Sequence, residues 1–519
     1  LDSHGNSRDH DKGQTSGRAL SPRLASVALL AERLALAGFL LYAIFAPHSI
    51  AGAEIALGLV GIGFVLRFLA TGNTNLRRSP QDLPIWLFLA WTILSSILSE
   101  EPRLSLPKLQ SVCVVFLFYL TRAMLTRRTV LPVVALMIAS GVAGVFWSVA
   151  DIARGRGVII EEMAEDSPFR QTPVQVGDAV WRIGTSRVSS IQEIDDAIRS
   201  APLGHPLSVS FIRQGEHGEA LSIPITDETR ARPFPSGLKG TSRTHRFRAS
   251  GWTRHYETFS ETLQILAQLA LGLALAQLHN RRGRWRALRA LVASALLAVG
   301  ILLTAMRTAL VALAIGAGVV AWRAARKRER LMICAAIVIL LGTGALAVWR
   351  TRMTGTLSFE DASTSLRLKV AGTGLKRLMI HPFFGHGMDA AKKHWTEWGF
   401  PGTDVVHMHS TPLQLAFERG LPALFFWLWM MLSFWLTATR AEKAARSNSS
   451  GGADTIRHGL LLGATGALAG FFASSLVNYN FGDGEVALVF WWLMGVVAIL
   501  AGDRPNLNIK EDDNALPRR

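Results

Sequence analysis

The sequence predicts an all-α polytopic membrane protein of about 12 transmembrane helices, with one small α/β insert in an outward-facing loop. Three observations lead there. Of the 519 residues 50% are hydrophobic and only 18% charged, too apolar a balance for a soluble chain of this length. Apolar runs near 20 residues, the length that crosses the hydrocarbon core, recur between charged or Pro/Gly-rich breaks. Between two such runs, about residues 152–256, the pattern changes to short stretches with strand-like alternation, as at Leu207, Val209 and Phe211.

The expected spans are 27–46, 50–70, 82–98, 106–124, 130–151, 257–278, 287–304, 306–322, 331–349, 412–437, 459–477 and 486–501. An even number puts both termini on one side. The short loops at 71–82, 121–130, 279–289, 323–330 and 439–458 carry 19 Lys and Arg together, whereas the opposite short loops hold only Arg103, Lys108 and Arg307. By the positive-inside rule the first set and both termini are cytoplasmic. That placement absorbs most of the net charge of +17, from 55 Lys+Arg against 38 Asp+Glu, and removes the reason to expect nucleic acid. Cys113 and Cys334 both sit in apolar runs, which excludes a disulfide framework and a cysteine metal site. Residues 1–26 lack the early apolar run of a signal peptide and read as a disordered cytoplasmic tail, and residues 503–519 read as a cytoplasmic tail.

The organisation that follows is helices 1–5 over 27–152, an insert at 153–227, a basic linker at 228–256, helices 6–9 over 257–349, an outer loop at 350–411 and helices 10–12 over 412–502. In the insert, Gly157 to Ile160 and Val176 to Trp181 read as strands and Ile191 to Ile198 as a helix. Leu207 to Phe211 and Ala220 to Ile225 read as a hairpin around Gly215–Gly218. This stretch resembles the PDZ domains of bacterial periplasmic proteases, which implies a periplasmic protein partner bound by strand addition beside Gly157–Ile160. A spacer domain is the alternative. Protease chemistry is not expected, because the chain has neither a His-Glu-x-x-His run nor a Gly-x-Ser-x-Gly elbow.

The second long outer loop carries Ser363 to Arg367, Leu375 through His381-Pro382 to Gly387, and His407-Met-His409-Ser410 leading to Glu418-Arg-Gly-Leu421. Upstream stand Arg248-Ala-Ser-Gly251 with His255, and Leu303 to Arg307. In this order the motifs resemble the O-antigen ligase and polymerase family, with Met306 where a serine is usual. The resemblance implies a multi-pass protein of the bacterial inner membrane whose long loops are periplasmic. It implies a donor glycan on a polyprenyl diphosphate and a glycolipid acceptor, lipid A core for a ligase or a second lipid-linked glycan for a polymerase.

Under that reading His409 is the catalytic base that accepts the acceptor hydroxyl's proton. Arg248, Arg307 and Arg367 are the catalytic groups that hold the diphosphate through paired guanidinium donors. His407, Arg377, His255 and Asp483 are expected to bind substrate. His381 and His386 flank a Pro/Gly turn and are expected to be architectural, and Glu100–Glu101 to be a solvated turn. Inverting displacement at the diphosphate needs no metal and no cofactor, and none is expected. Basic outer loops, which also contact membrane lipids, favour a ligase acting on phosphorylated lipid A core. The alternatives are an O-antigen or exopolysaccharide polymerase, and a non-catalytic lipid-linked glycan transporter or PDZ scaffold.

Overall fold

The computed structural model describes residues 21–213, 216–217, 221–240, 242–253, 255–278, 283–325, 330, 362–402, 407–447 and 452–502. Ten helices among them are long and apolar enough to cross a membrane. These are Pro22–Phe45, Ile50–Thr71, Pro102–Met124, Arg127–Arg154, Tyr256–Gln277, Arg284–Leu303, Arg307–Ala324, Leu421–Ser447, Gly452–Ser475 and Gly484–Ala501. Asp82–Leu98 is a shorter apolar helix of 17 residues. The span expected at 331–349 lies outside the described residues, as do residues 1–20 and the tail at 503–519.

Tyr256–Gln277, Gly452–Ser475 and Gly484–Ala501 are buried along most of their length and form the centre of the helical body. Small residues let the first two touch. A Cβ on Gly272 would lie 2.2 Å from the Gly463 nitrogen, and one on Gly459 2.9 Å from the Leu273 Cα. In hydrocarbon, where apolar burial does not drive helices together, such close backbone approach supplies the packing. The peripheral helices turn Leu30, Ile55 and Leu69 outward, each more than half exposed, as a lipid-facing surface requires.

The tenth expected span is corrected. Residues 412–437 are not one helix: a short helix Thr411–Arg419 ends at Gly420, and the spanning helix starts at Leu421. Gly420 has φ +81° and a Cβ there would meet the Phe383 carbonyl oxygen at 1.7 Å, so only glycine fits. The Leu421 N–H then donates to the Pro382 carbonyl at 2.8 Å, which fixes the break against the His381–Gly387 turn. Counting apolar residues cannot see this break, because Leu413, Leu415 and Phe417 continue the apolar run.

The insert is an antiparallel sheet with Val158–Ile159 beside Ala179–Ile183, then Leu207–Arg213, which pairs in turn with Glu216–His217 and Leu221–Ile223. Helix Ile191–Ser200 packs Ile194 and Ile198 onto Val180, Val209 and Phe211. Ser190 caps that helix, accepting from the Glu193 N–H at 3.2 Å.

The basic linker, despite Pro233, Pro235, Gly237 and Gly240, pairs with the insert. Ile159 N–H donates to the Ser242 carbonyl at 2.9 Å, Glu161 N–H to Lys239 at 2.8 Å, and Arg156 and Thr244 exchange both backbone bonds. Leu238–Lys239 forms a two-stranded ladder with Glu162–Met163. The open edge beside Gly157–Ile160, where a partner strand was expected, is therefore filled by residues 237–240 and 242–244 of the same chain. Gly240 permits the approach: a Cβ there would lie 1.9 Å from the Ile159 carbonyl oxygen.

Candidate functional site

His409 sits two residues ahead of helix Thr411–Arg419, whose start is capped by the Ser410 hydroxyl and opened by Pro412. The Thr411 N–H donates to the Asn478 carbonyl at 3.0 Å, and its hydroxyl lies 3.1 Å from both that carbonyl and Asn480 Oδ1. This ties the histidine to the loop between the last two spanning helices. His409 itself has φ +49°, a left-handed conformation that costs a side-chain-bearing residue about 1–3 kcal/mol. Its N–H donates to His407 Nδ1 at 3.2 Å, so a neutral His407 carries its proton on Nε2. The two rings stand 4.3 Å apart.

Both imidazoles are pushed towards the neutral form. Burial, then His407 and Arg367, bring His409 down to about 3, and burial and Arg367 hold His407 below its ordinary value. At neutral pH His409 is thus an uncharged base beside a guanidinium. Arg367 reaches it from helix Ala362–Leu378, held against the same wall by Val370 and by Gly374, whose Cβ position lies 2.9 Å from Met408 Sδ.

A cavity of about 210 Å³ opens onto these residues, lined by Glu257, Glu261, Met306, His407, His409, Asn478, Tyr479, Asn480 and Asp483 among others. Arg307 begins its helix directly after Met306, and the neighbouring Thr308 accepts from Asn478 Nδ2 at 2.9 Å. Met306 Sδ takes the Ser260 hydroxyl at 2.7 Å. Arg248 lies on the same side: Ala249 N–H donates to the Leu303 carbonyl at 3.0 Å, and the Arg248 guanidinium covers the Tyr256 ring at 4.4 Å. The segments bearing Arg248, Arg307, Arg367, His407 and His409 thus converge, although some 160 positions separate the first from the last.

Asp483 stands on the wall shared with a second cavity of about 730 Å³, which His48, Trp252, Thr253, His255, Thr258 and Glu485 also line. Its carboxylate caps the last helix, accepting from Glu485 N–H at 3.1 Å, and accepts from Thr258 Oγ1 at 2.5 Å. His255 faces this larger cavity, not the histidine pair. Arg377 lines neither cavity; its guanidinium lies 5.1 Å over Trp398.

Several residues escaped the sequence reading. Glu261, 3% exposed, accepts from Ser474 Oγ and from Asn478 Nδ2 at 3.2 Å, while its Oε2 has no hydrogen-bond partner among the described residues. Glu257 and Glu261 are one turn apart at the outer end of an apolar span, a signal that was legible. Nor is Glu100–Glu101 a solvated turn. Glu101 bonds His394 Nε2 at 2.6 Å and Lys393 Nζ at 3.1 Å, which lowers its carboxyl, and Glu100 lies 2.5 Å from His386 Nδ1.

Residues 292–428 match the family model described as O-antigen ligase. The match takes in Arg307, Arg367, Arg377, His407 and His409. Over that segment the resemblance read from the motifs is shown, and it supports a membrane glycosyltransferase of ligase or polymerase type with a lipid-linked glycan donor and a lipid acceptor. No curated protein matches the chain.

Proposed function

We propose that this protein is an O-antigen ligase, transferring a glycan from a polyprenyl diphosphate carrier to lipid A core at the periplasmic face of the inner membrane. The observation that carries the reading is His409: a half-buried, neutral imidazole at a cavity mouth, with the Arg367 charge acting on it. The acceptor hydroxyl oxygen attacks the anomeric carbon while the bond to the diphosphate oxygen breaks, and His409 takes the hydroxyl proton. The anomeric centre inverts. Polyprenyl diphosphate departs with its charge held by Arg248, Arg307 and Arg367, with no metal ion or cofactor in the reacting shell. A bound diphosphate offsets the guanidinium charge that depresses His409, so the base strengthens when donor is in place.

A polymerase is the second reading, and one observation favours it. The 730 Å³ cavity beside the site presents Asp483, Glu485 and Trp252, a lining that suits the hydroxyls and apolar faces of a neutral glycan better than a phosphorylated core. The lipopolysaccharide gel pattern of a deletion strain separates the two: bare core for a lost ligase, core with one repeat for a lost polymerase. Unchanged lipopolysaccharide would argue against both.

The PDZ-like insert we assign a scaffold role. A periplasmic partner adding a strand beside Gly157–Ile160 would first have to displace residues 237–240 and 242–244. That self-pairing holds the chain leading to Arg248, and His245 Nδ1 to the Ile152 carbonyl at 2.9 Å adds to the same anchorage.

A further inference from the structure

We propose that Glu100, His381 and His386 form a binding site for a divalent transition metal of the zinc class, outside the reacting cavity. One ligand atom from each residue lies within 4.8 Å of the others. His386 Nδ1 is 2.5 Å from Glu100 Oε2, and His381 Nε2 is 3.8 Å from the same oxygen.

The hydrogen bonding of His386 shows why a cation belongs there. Its Nε2 lies 2.9 Å from the Arg377 carbonyl, an acceptor, so the ring proton must sit on Nε2. Nδ1 then faces a carboxylate oxygen at 2.5 Å, a contact made favourable by a second ring proton or by a metal ion between the two. A histidine whose other N–H donates to a backbone carbonyl is the usual oriented metal ligand. The ring cannot turn away. It is fully buried, stacked 4.5 Å from Phe417 and tilted against Trp398 at 4.9 Å. His381 and Glu100, by contrast, are partly exposed, which leaves an entry path and an open coordination position.

Two imidazoles and one carboxylate are a zinc donor set, and tetrahedral ligation sets donor atoms about 3.3 Å apart. The 2.5 Å pair must open slightly and the 3.8 Å pair close, movements within reach of the exposed Glu100 and His381 side chains. The metal would join the turn after Asp82–Leu98 to the segment between Arg367 and His409. It would brace that loop without touching substrate.

The test uses the full chain in detergent, its purification tag removed, stripped with a chelator and titrated with Zn²⁺. Metal content per chain and the melting temperature are both read. About one Zn²⁺ per chain and a rise in melting temperature are expected for the wild type, with both lost in His381→Ala and in Glu100→Gln. His409→Ala should retain the full metal content, which separates this site from the proposed catalytic one. Wild-type protein that takes up no Zn²⁺ above background would leave a proton as the bridging charge and overturn the site. Stoichiometry unchanged in both variants would overturn it as well.

Discussion

At the scale of the residue, the His409 imidazole is kept neutral by burial and by the positive field of Arg367, and it is aimed by a left-handed backbone no sequence pattern would suggest. His409→Ala should lower transfer by about 10²–10⁴-fold, the usual contribution of a general base, while leaving donor binding intact. Turnover near wild type in purified protein would refute that role. The pH dependence follows from the direction of the shift. A histidine whose pKa is depressed to about 3 stays neutral, and so competent as a base, until the pH falls towards that value. The free enzyme's kcat/KM should therefore show no acid limb from His409 between roughly pH 5 and 7. Arg367→Gln removes one cause of the depression, so the His409 pKa rises and the acid limb should move to higher pH, whatever the residual rate. An unshifted profile in that variant would mean Arg367 does not act on the base.

At the scale of the element, the insert and the linker cannot be separated. The strand Val158–Ile159 has the sheet on one side and Ser242 on the other, and five residues after Thr244 the chain reaches Ala249, bonded to the end of Arg284–Leu303. Gly240→Val puts side-chain atoms where the Ile159 carbonyl stands, which should unseat the linker and reduce transfer in detergent by roughly tenfold through Arg248, a loss of about 1.4 kcal/mol. Replacing residues 155–227 with a Gly/Ser linker removes the same pairing and should act in the same direction. If both variants keep wild-type activity when purified, the insert serves only an outside role. Glu257 and Glu261 make a similar point on Tyr256–Gln277: helical spacing sets both on the face towards the His409 cavity, where an apolar span would otherwise offer no acceptor.

At the scale of the whole molecule, orientation rests on the asymmetry of Lys and Arg between alternate loops. In a background with Cys113→Ser and Cys334→Ser, a membrane-impermeant maleimide should label Ser200→Cys in intact spheroplasts but Ser447→Cys only after lysis. Both positions are exposed and sit in the insert and at the end of Leu421–Ser447, on opposite sides in the expected topology. The reverse labelling would invert the protein and move the His409 cavity to the cytoplasm.

What the sequence determined by itself was whatever depends on local composition. Apolar length marked most of the spans, alternation and turn residues the strands and helix of the insert, and the His407–His409 and Arg307 and Arg367 motifs the resemblance that the family model bears out over residues 292–428; charge asymmetry gives the expected sides. Each is a property of neighbouring residues and survives without knowledge of contacts. The tertiary structure decided what depends on residues far apart in the chain. The break at Gly420 exists because Phe383 and Pro382 come up against it. The insert's edge is filled because a segment some 80 positions later returns to it. Glu261 joins the His409 cavity through Asn478, and Glu100 meets His386 across 286 positions. Arg377 belongs to the motif yet stacks on Trp398 instead, because the direction a helix presents a side chain is set by what the helix packs against, and spacing alone does not carry that information.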